Sequence, residues 1–126
     1  LAADDLCFEG FVPDLNNYLS NTNLAVAPSF YGTGMQQKVF EPICRGIPTV
    51  THARALAGYP FEDGQHLLLA DKAEEFATQL IRLLDSNLRK HIGSQGRKQA
   101  QKLFGLERMD DYLDDILQTA LQQNGR

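Results

Sequence analysis

Short apolar runs alternate with polar segments through the first seventy positions of the chain, and the pattern then changes. Four of these runs predict β-strands, at residues 5–12, 24–27, 48–51 and 66–70. The run at 24–27 is apolar without interruption, which is typical of a strand covered on both faces. Helices are predicted between the strands, one capped by Asp14 and ending near Ser20, and one running from near Met35 to Gly46.

From position 71 onward the apolar residues recur at helical spacing. Asp71 with Glu74 three residues later predicts a capping box at the start of the first of three helices. A second helix is predicted from Ser86, and Gly93 and Gly96 inside it should weaken it. The third has a continuous apolar stripe over residues 106–121, and the paired acids opposite that stripe indicate a solvated face.

The order of these elements predicts an α/β fold, because strands that alternate with helices form a parallel sheet covered by helices. About four strands are expected, fewer than a free-standing nucleotide-binding sheet usually has. The long connection over residues 52–64 is of a length often associated with function or mobility. Residues 1–126 are interpreted as a single domain or a fragment, since no repeat or linker divides them.

Composition excludes several classes of protein. The 126 residues carry a formal charge of −4, which argues against broad binding to nucleic acid or anionic membranes. No apolar run approaches the roughly 20 residues of a membrane helix, and no signal peptide is evident. Cys7 and Cys44 are predicted to be small buried thiols. The three histidines lack the spacing of a metal site, so no metal is expected.

The candidate chemistry lies in the segment that joins the strand at 24–27 to the next helix. Gly32 and Gly34 permit close approach of a ligand, and the helix start that follows favours phosphate. Lys38 adds positive charge in the first turn. Glu41 lies three residues further on and is suited to accept hydrogen bonds from a diol such as a ribose. Taken alone, a G-x-G of this kind is better interpreted as a glycine turn with a solvated Lys38 and a surface Glu41 that form an ordinary helix pair.

Competing motifs are absent. A dinucleotide fingerprint needs a third glycine where Gln37 stands, and no P-loop or nucleophile elbow occurs. Tyr31 could stack on a ligand, and His52 could contact a sugar or phosphate at the ligand edge of the sheet. For both residues an ordinary loop position is at least as good an interpretation.

The spacing Gly32-x-Gly34-x-x-x-Lys38-x-x-Glu41, followed by Gly46-x-Pro48-x-Val50, resembles the donor-binding, C-terminal domain of retaining GT-B glycosyltransferases of the group 1 type. The upstream segment from Phe8 to Leu15 is similar to the family's strand and loop beside the nucleobase. The resemblance covers essentially the whole chain. It implies a partial Rossmann-like parallel sheet that forms the C-terminal part of a GT-B donor domain.

The resemblance implies a binding site for a nucleotide-diphosphate sugar, such as a UDP- or GDP-sugar, which is the substrate; no cofactor is expected. Glu41 matches the family's ribose-binding glutamate. The diphosphate and sugar would contact Gly32, Thr33, Gly34, Met35, Gln36, Gln37 and Lys38. The nucleobase would contact Val12, Pro13 and Leu15. No residue is assigned a catalytic role.

The sequence departs from the family pattern at three positions. Thr33 replaces the first of two glutamates that many relatives carry eight positions apart. Gln36 stands where some members have a second lysine, which reduces the positive charge at the phosphates. Pro42 lies inside the expected helix, so that helix should be kinked or begin late.

The resemblance also implies partners and a location. An N-terminal domain would bind an acceptor glycan or lipid, and the third predicted helix would pack back on it. This piece alone should be inactive. The expected location is the cytoplasm, with the parent protein peripheral at the inner face of a membrane. Two alternatives stay open, a GT-B nucleotide-sugar epimerase and a non-catalytic nucleotide-binding or regulatory module.

Overall fold

The structure, a computed structural model, describes residues 5–32, 34 and 36–124. The strands are β1 (Ala25–Ala27), β2 (Thr49–Thr51) and β3 (Leu68–Leu69). The helices are α1 (Leu15–Ser20), α2 (Gln37–Cys44), α3 (Ala73–Arg82), α4 (Ser86–Phe104) and α5 (Leu106–Asn124). A short 3₁₀ helix, Ala53–Leu56, follows β2.

The three strands form one parallel sheet in the order β1-β2-β3. Ala25 is in register with Thr49, and Val50 is in register with Leu68. Two core clusters of buried side chains pack against this sheet together with the helices. The predicted α/β class with a helix-flanked parallel sheet is therefore confirmed, with three strands in the described part of the chain where about four were expected.

The strand predicted at residues 5–12 is not formed, so this prediction is wrong. This segment is irregular in the structure, and Phe8 and Phe11 are 88% and 87% exposed. A strand is held by hydrogen bonds to a neighbouring strand, and β1, β2 and β3 pair only with one another. Alternating apolar residues without such a partner do not make a strand.

The core is built from α2, the sheet, α3 and α4. One cluster consists of Ala27, Val39, Phe40, Ile43, Ala55, Leu56, Phe61, Leu67 and Ala100. The other consists of Val50, Leu68, Ala70, Phe76, Leu83 and Ile92. Leu56 and Phe61 belong to the long connection between β2 and β3, so this connection is part of the packed core.

Helix α4 lies unusually close to the rest of the domain at its two internal glycines. A Cβ atom at Gly93 would lie 2.3 Å from the carbonyl oxygen of Gly46, and one at Gly96 would lie 2.4 Å from that of His66. Neither distance is tolerable for a real side chain. The glycines that should weaken the helix are thus the positions at which its backbone contacts the turn after α2 and the residues before β3.

Helix α2 begins at Gln37, two residues after the predicted start near Met35, which lies outside the described residues. Pro42 is inside it and removes one backbone donor. At the other end Gly46 adopts a φ of +77°. Hydrogen bonds of 2.9 Å then run from Gly46 N to Ile43 O and from Ile47 N to Pro42 O. This Schellman cap confirms the predicted helix end at Gly46.

The predicted capping box of α3 is wrong. Lys72 occupies the N-cap position and makes no side-chain cap. The carboxylate that reaches back is that of Glu75, which accepts a hydrogen bond of 2.7 Å from the backbone N–H of Asp71. Asp71 lies one residue before the N-cap, and its Oδ1 lies 3.2 Å from His52 Nε2.

Helix α5 confirms the third predicted helix, but its apolar stripe is exposed, from Leu106 through Leu113 to Leu121. The acidic pairs on its opposite side are exposed as predicted. Within the described part of the chain, no helix has the length and apolar character needed to cross a membrane.

Candidate functional site

The candidate site begins where β1 ends, at the carboxyl edge of the sheet. Pro28 follows the strand, and a glycine-containing loop over residues 29–36 connects it to α2. Gly32 and Gly34 adopt φ values of +121° and +75°, which strongly favour glycine. Two of the predicted contacts, Thr33 and Met35, lie outside the described residues. The other residues predicted to contact the diphosphate and sugar lie within this loop or in the first turn of α2.

Gln36 lies directly before α2 but does not cap it. Its backbone is extended, and its side-chain Oε1 accepts a short hydrogen bond from the hydroxyl of Ser29. Its Nε2 is buried with no partner among the described residues and would lie 3.1 Å from a Cβ at Gly32. Gln36 therefore supports the loop through Ser29, and its contact with the diphosphate stays a prediction.

The start of α2 has no side-chain cap from the described residues. The first hydrogen bonds back to Gln36 O come from Val39 N at 2.9 Å and Phe40 N at 3.2 Å. The amides of Gln37 and Lys38 precede these bonds and belong to the orphan donors of a helix start. Lys38 is exposed in the same turn. The geometry therefore offers an anion both amide donors and a positive charge.

Glu41 lies one turn beyond Lys38 and is bound to Arg45. Arg45 Nη2 and Nε donate to Glu41 Oε1 at 2.8 Å and 3.3 Å. The same Nη2 donates to Asn16 Oδ1 at 2.5 Å. The carboxylate predicted to hold a ribose is thereby joined through Arg45 to α1.

Helix α1 begins at the end of the segment predicted to meet the nucleobase. Leu15 is its first residue, and Asp14 Oδ1 caps it by accepting a hydrogen bond of 3.0 Å from Asn17 N. Pro13 is exposed and Val12 is half-buried. The structure therefore brings the base segment and the ribose carboxylate to neighbouring helices, linked by one arginine side chain.

A shallow groove of about 320 Å³ runs beside Glu41. It is lined by Gln37, Phe40, Glu41, Cys44, Arg45 and Phe104. A larger depression of about 520 Å³ lies near the amino ends of β1 and β2, on the far side of Arg45. The second depression lies away from the glycine loop and contains none of the predicted site residues.

His52 follows β2 at the same edge of the sheet as the glycine loop. Its Nδ1 accepts a hydrogen bond of 3.1 Å from Arg54 N, and its Nε2 lies 3.2 Å from Asp71 Oδ1. Its ring packs edge-on against Phe30, with centroids 5.3 Å apart. Both ring nitrogens have partners, so this histidine links the residues that follow β2 to Asp71 before α3. Tyr31 is exposed.

Both cysteines are exposed, so the prediction of buried thiols is wrong. Cys7 lies in the irregular segment, where its thiol donates a weak hydrogen bond of 3.5 Å to Glu9 Oε1. Cys44 lies on the exposed face of α2. Partial burial and the nearby Glu41 carboxylate both disfavour the thiolate and raise the pKa of Cys44. Among the described residues no cluster of metal-ligating side chains occurs.

Sequence analysis missed two residues of this site, Arg45 and Asn16. Arg45 was detectable in principle, because it follows Glu41 by four positions, the spacing at which helix side chains pair. Asn16 is 29 positions away from Arg45, and no local pattern could have connected the two.

A parallel sheet with a glycine loop at its carboxyl edge, leading into a helix start that no described side chain caps, is typical of ligand-binding α/β domains. The sequence model of the family described as Glycosyl transferases group 1 matches residues 1–86. The chain belongs to this family, which confirms the resemblance stated for the sequence.

Comparison with solved structures supports the fold. Sucrose-phosphate synthase from Thermosynechococcus elongatus matches with a TM-score of 0.71 and 23% sequence identity. The match covers 84% of this chain and 27% of the synthase chain, so the chain spans about a quarter of that structure's length. Comparison with curated protein sequences gives no match.

Proposed function

We propose that this chain forms part of the donor-binding half of a retaining glycosyltransferase of the hexosyltransferase type, which uses a nucleotide-diphosphate sugar. One observation carries the proposal. A helix start that no described side chain caps, with Lys38 in its first turn, follows a positive-φ glycine loop, and Glu41 lies one turn further along the same helix. Amide donors and a cation suit a diphosphate, and a carboxylate one turn away suits the hydroxyls of the attached ribose.

In this proposal the diphosphate lies against the amides of Gln37 and Lys38, with Gly32 and Gly34 allowing it to approach the backbone. The nucleobase lies against Val12, Pro13 and Leu15. Thr33 and Met35 complete the set of donor contacts proposed from the family resemblance. Gln36 contributes by supporting the loop through Ser29, as its hydrogen bond indicates.

The proposed catalytic contribution of this region is electrostatic. When the bond from the sugar to the diphosphate breaks, negative charge develops on the departing phosphate oxygen. Preorganised amides and Lys38 would stabilise that charge without having to reorient. None of the described residues is assigned as general base, and the acceptor would be a glycan or lipid held by an N-terminal domain of the parent protein. Residues 1–126 alone would then be inactive, and the parent would act in the cytoplasm, peripheral to the inner face of a membrane.

The binding part of the proposal is tested by titrating the full-length protein that carries this chain with UDP and GDP. Glu41→Gln should weaken the better ligand by about tenfold or more, because a hydrogen bond to a charged group is worth roughly 1.5–3 kcal/mol. Glu74→Gln, which alters an exposed acid in the first turn of α3, is the matched control and should leave affinity unchanged. Unchanged affinity in Glu41→Gln would remove Glu41 from the ribose role.

The transfer part is tested with a labelled UDP- or GDP-sugar and acceptor extracts, with anomeric configuration of the product followed by NMR. Retention of configuration and a requirement for an acceptor are expected. Conversion of the labelled donor without any acceptor would instead indicate an epimerase. Nucleotide binding with no turnover of any donor would indicate a non-catalytic module.

A further inference from the structure

We propose that Arg45 is a positioning residue for nucleotide recognition: it holds one oxygen of Glu41, leaves the other for the pentose hydroxyls, and ties this carboxylate to α1. The inference rests on the proposed function, because it assigns a partner to the proposed ribose-binding group. Neither the sequence pattern nor the family comparison assigns any role to Arg45.

The first argument is the geometry at the carboxylate. Both hydrogen bonds from Arg45, at 2.8 Å and 3.3 Å, go to Oε1 of Glu41. Within residues 5–32, 34 and 36–124, no hydrogen bond to Oε2 is present. A carboxylate fixed at one oxygen has a defined orientation, and its second oxygen keeps its full capacity to accept from a hydroxyl. Arg45 thus orients the Glu41 carboxylate through Oε1 and leaves Oε2 available to a ligand hydroxyl.

The second argument is the link to α1. This helix has only six residues and none of them is buried, so little apolar packing holds it in place. Arg45 Nη2 reaches Asn16 Oδ1 across 29 positions of sequence at 2.5 Å. Asn16 directly follows Leu15, the last residue of the proposed base segment. One guanidinium therefore sets the position of the base segment relative to the ribose carboxylate.

The third argument is charge. A bare carboxylate close to a diphosphate repels it, and Glu41 lies within one turn of the proposed phosphate site. Arg45 carries a charge of opposite sign at hydrogen-bond distance from Glu41 and offsets that repulsion. The carboxylate can then accept from the diol while the local charge stays close to neutral.

A purely structural role for the pair would be a weak one. The two side chains are 33% and 34% exposed, and exposed helix pairs at this spacing contribute little to folding. A stability measurement therefore cannot reveal the proposed role. Discrimination between ribose and deoxyribose can, because it depends on the orientation of Glu41.

The experiment measures dissociation constants of UDP, GDP and their 2′-deoxy counterparts for the full-length protein. Arg45→Ala should weaken the preferred ribonucleotide by about tenfold, the effect of one charged hydrogen bond, and remove most of the preference over its deoxy form. Arg45→Lys should keep part of the ribonucleotide affinity and part of the preference over the deoxy form. In the Glu41→Gln background, Arg45→Ala should cause no further loss of discrimination. Asn16→Ala should have a smaller effect of the same kind.

Arg82→Ala is the matched control, because Arg82 is an exposed helix arginine bonded to Gln79 Oε1 at 2.7 Å on α3. It should leave all four affinities unchanged. An equal loss for ribo- and deoxyribonucleotides in Arg45→Ala, or an additive loss in the Glu41→Gln background, would overturn the positioning role while the proposed function stands. A wild-type protein that binds neither nucleotide would overturn both.

Discussion

Gly34, in the loop before α2, and the two glycines inside α4, Gly93 and Gly96, have opposite surroundings. A Cβ at Gly34 would meet no atom of the described residues within 4 Å, whereas Cβ atoms at Gly93 and Gly96 would lie 2.3 Å and 2.4 Å from backbone carbonyl oxygens. The loop keeps open space in front of its backbone at Gly34, whereas another segment of the chain fills the corresponding space at the two glycines of α4. Glycine thus leaves room for the proposed ligand in one region and permits close helix packing in the other.

The largest expected effect in this comparison is on folding. Gly93→Ala and Gly96→Ala should each lower the free energy of unfolding by about 3 kcal/mol, because the new methyl group overlaps a backbone oxygen that cannot move away cheaply. Urea denaturation followed by circular dichroism measures the change. Ser94→Ala, an exposed position in the same helix, should change stability by no more than about 0.5 kcal/mol. A Gly96→Ala protein as stable as wild type would show that α4 is not held this closely.

An intermediate effect is expected in the loop, and on binding more than on folding. Gly34→Ala should lower stability by about 1 kcal/mol, since alanine is strained at a φ of +75°, and should weaken UDP or GDP binding by about tenfold. Gly64→Ala is the matched control, because Gly64 has a φ of +76° and open space and lies before β3, at the opposite edge of the sheet. Gly64→Ala should lower stability by a similar amount and leave nucleotide affinity unchanged. Equal loss of binding in both variants would mean that Gly34 has no special place at the ligand.

The smallest expected effect concerns the groove beside Glu41. Because the pKa of Cys44 is raised, its thiolate forms at higher pH than that of an ordinary thiol. Alkylation by iodoacetamide should therefore be slow at neutral pH and become faster only at higher pH. Removing the neighbouring carboxylate in Glu41→Gln removes one cause of the shift and should move the alkylation profile to lower pH. Cys7→Ser leaves Cys44 as the sole cysteine of residues 1–126, and peptide mass spectrometry follows its alkylation. An unchanged profile would place Glu41 further from the thiol.

Sequence alone predicted those parts of the fold that depend on local pattern. The strand β1, the Asp14 cap of α1 and the left-handed Gly46 at the end of α2 were all predicted, because each has a short-range physical cause. The prediction that β1 is covered on both faces is wrong, because its central residue Val26 is 43% exposed. The strand at residues 5–12 was predicted wrongly, because a strand also needs a neighbour and the sequence does not specify one.

The same limit applies to the candidate site. The glycine loop, Lys38 and Glu41 were found from spacing, and their contacts with a nucleotide stay predictions. The bond from Arg45 to Asn16 joins distant positions, and the hydrogen bond from Ser29 to Gln36 was not foreseen. Tertiary packing decides which partner comes close to a polar side chain and therefore where that side chain points. Composition and spacing along the sequence do not contain this information.

The aromatic ring at the start of the loop has a consequence for recognition. Phe30 lies between His52 and Phe76, with centroid distances of 5.3 Å and 6.1 Å. The first part of the loop is therefore anchored by aromatic contacts that need no ligand. Because each ordered residue costs about 1–2 kcal/mol of conformational entropy, this anchor leaves more of the intrinsic interaction energy to appear as affinity.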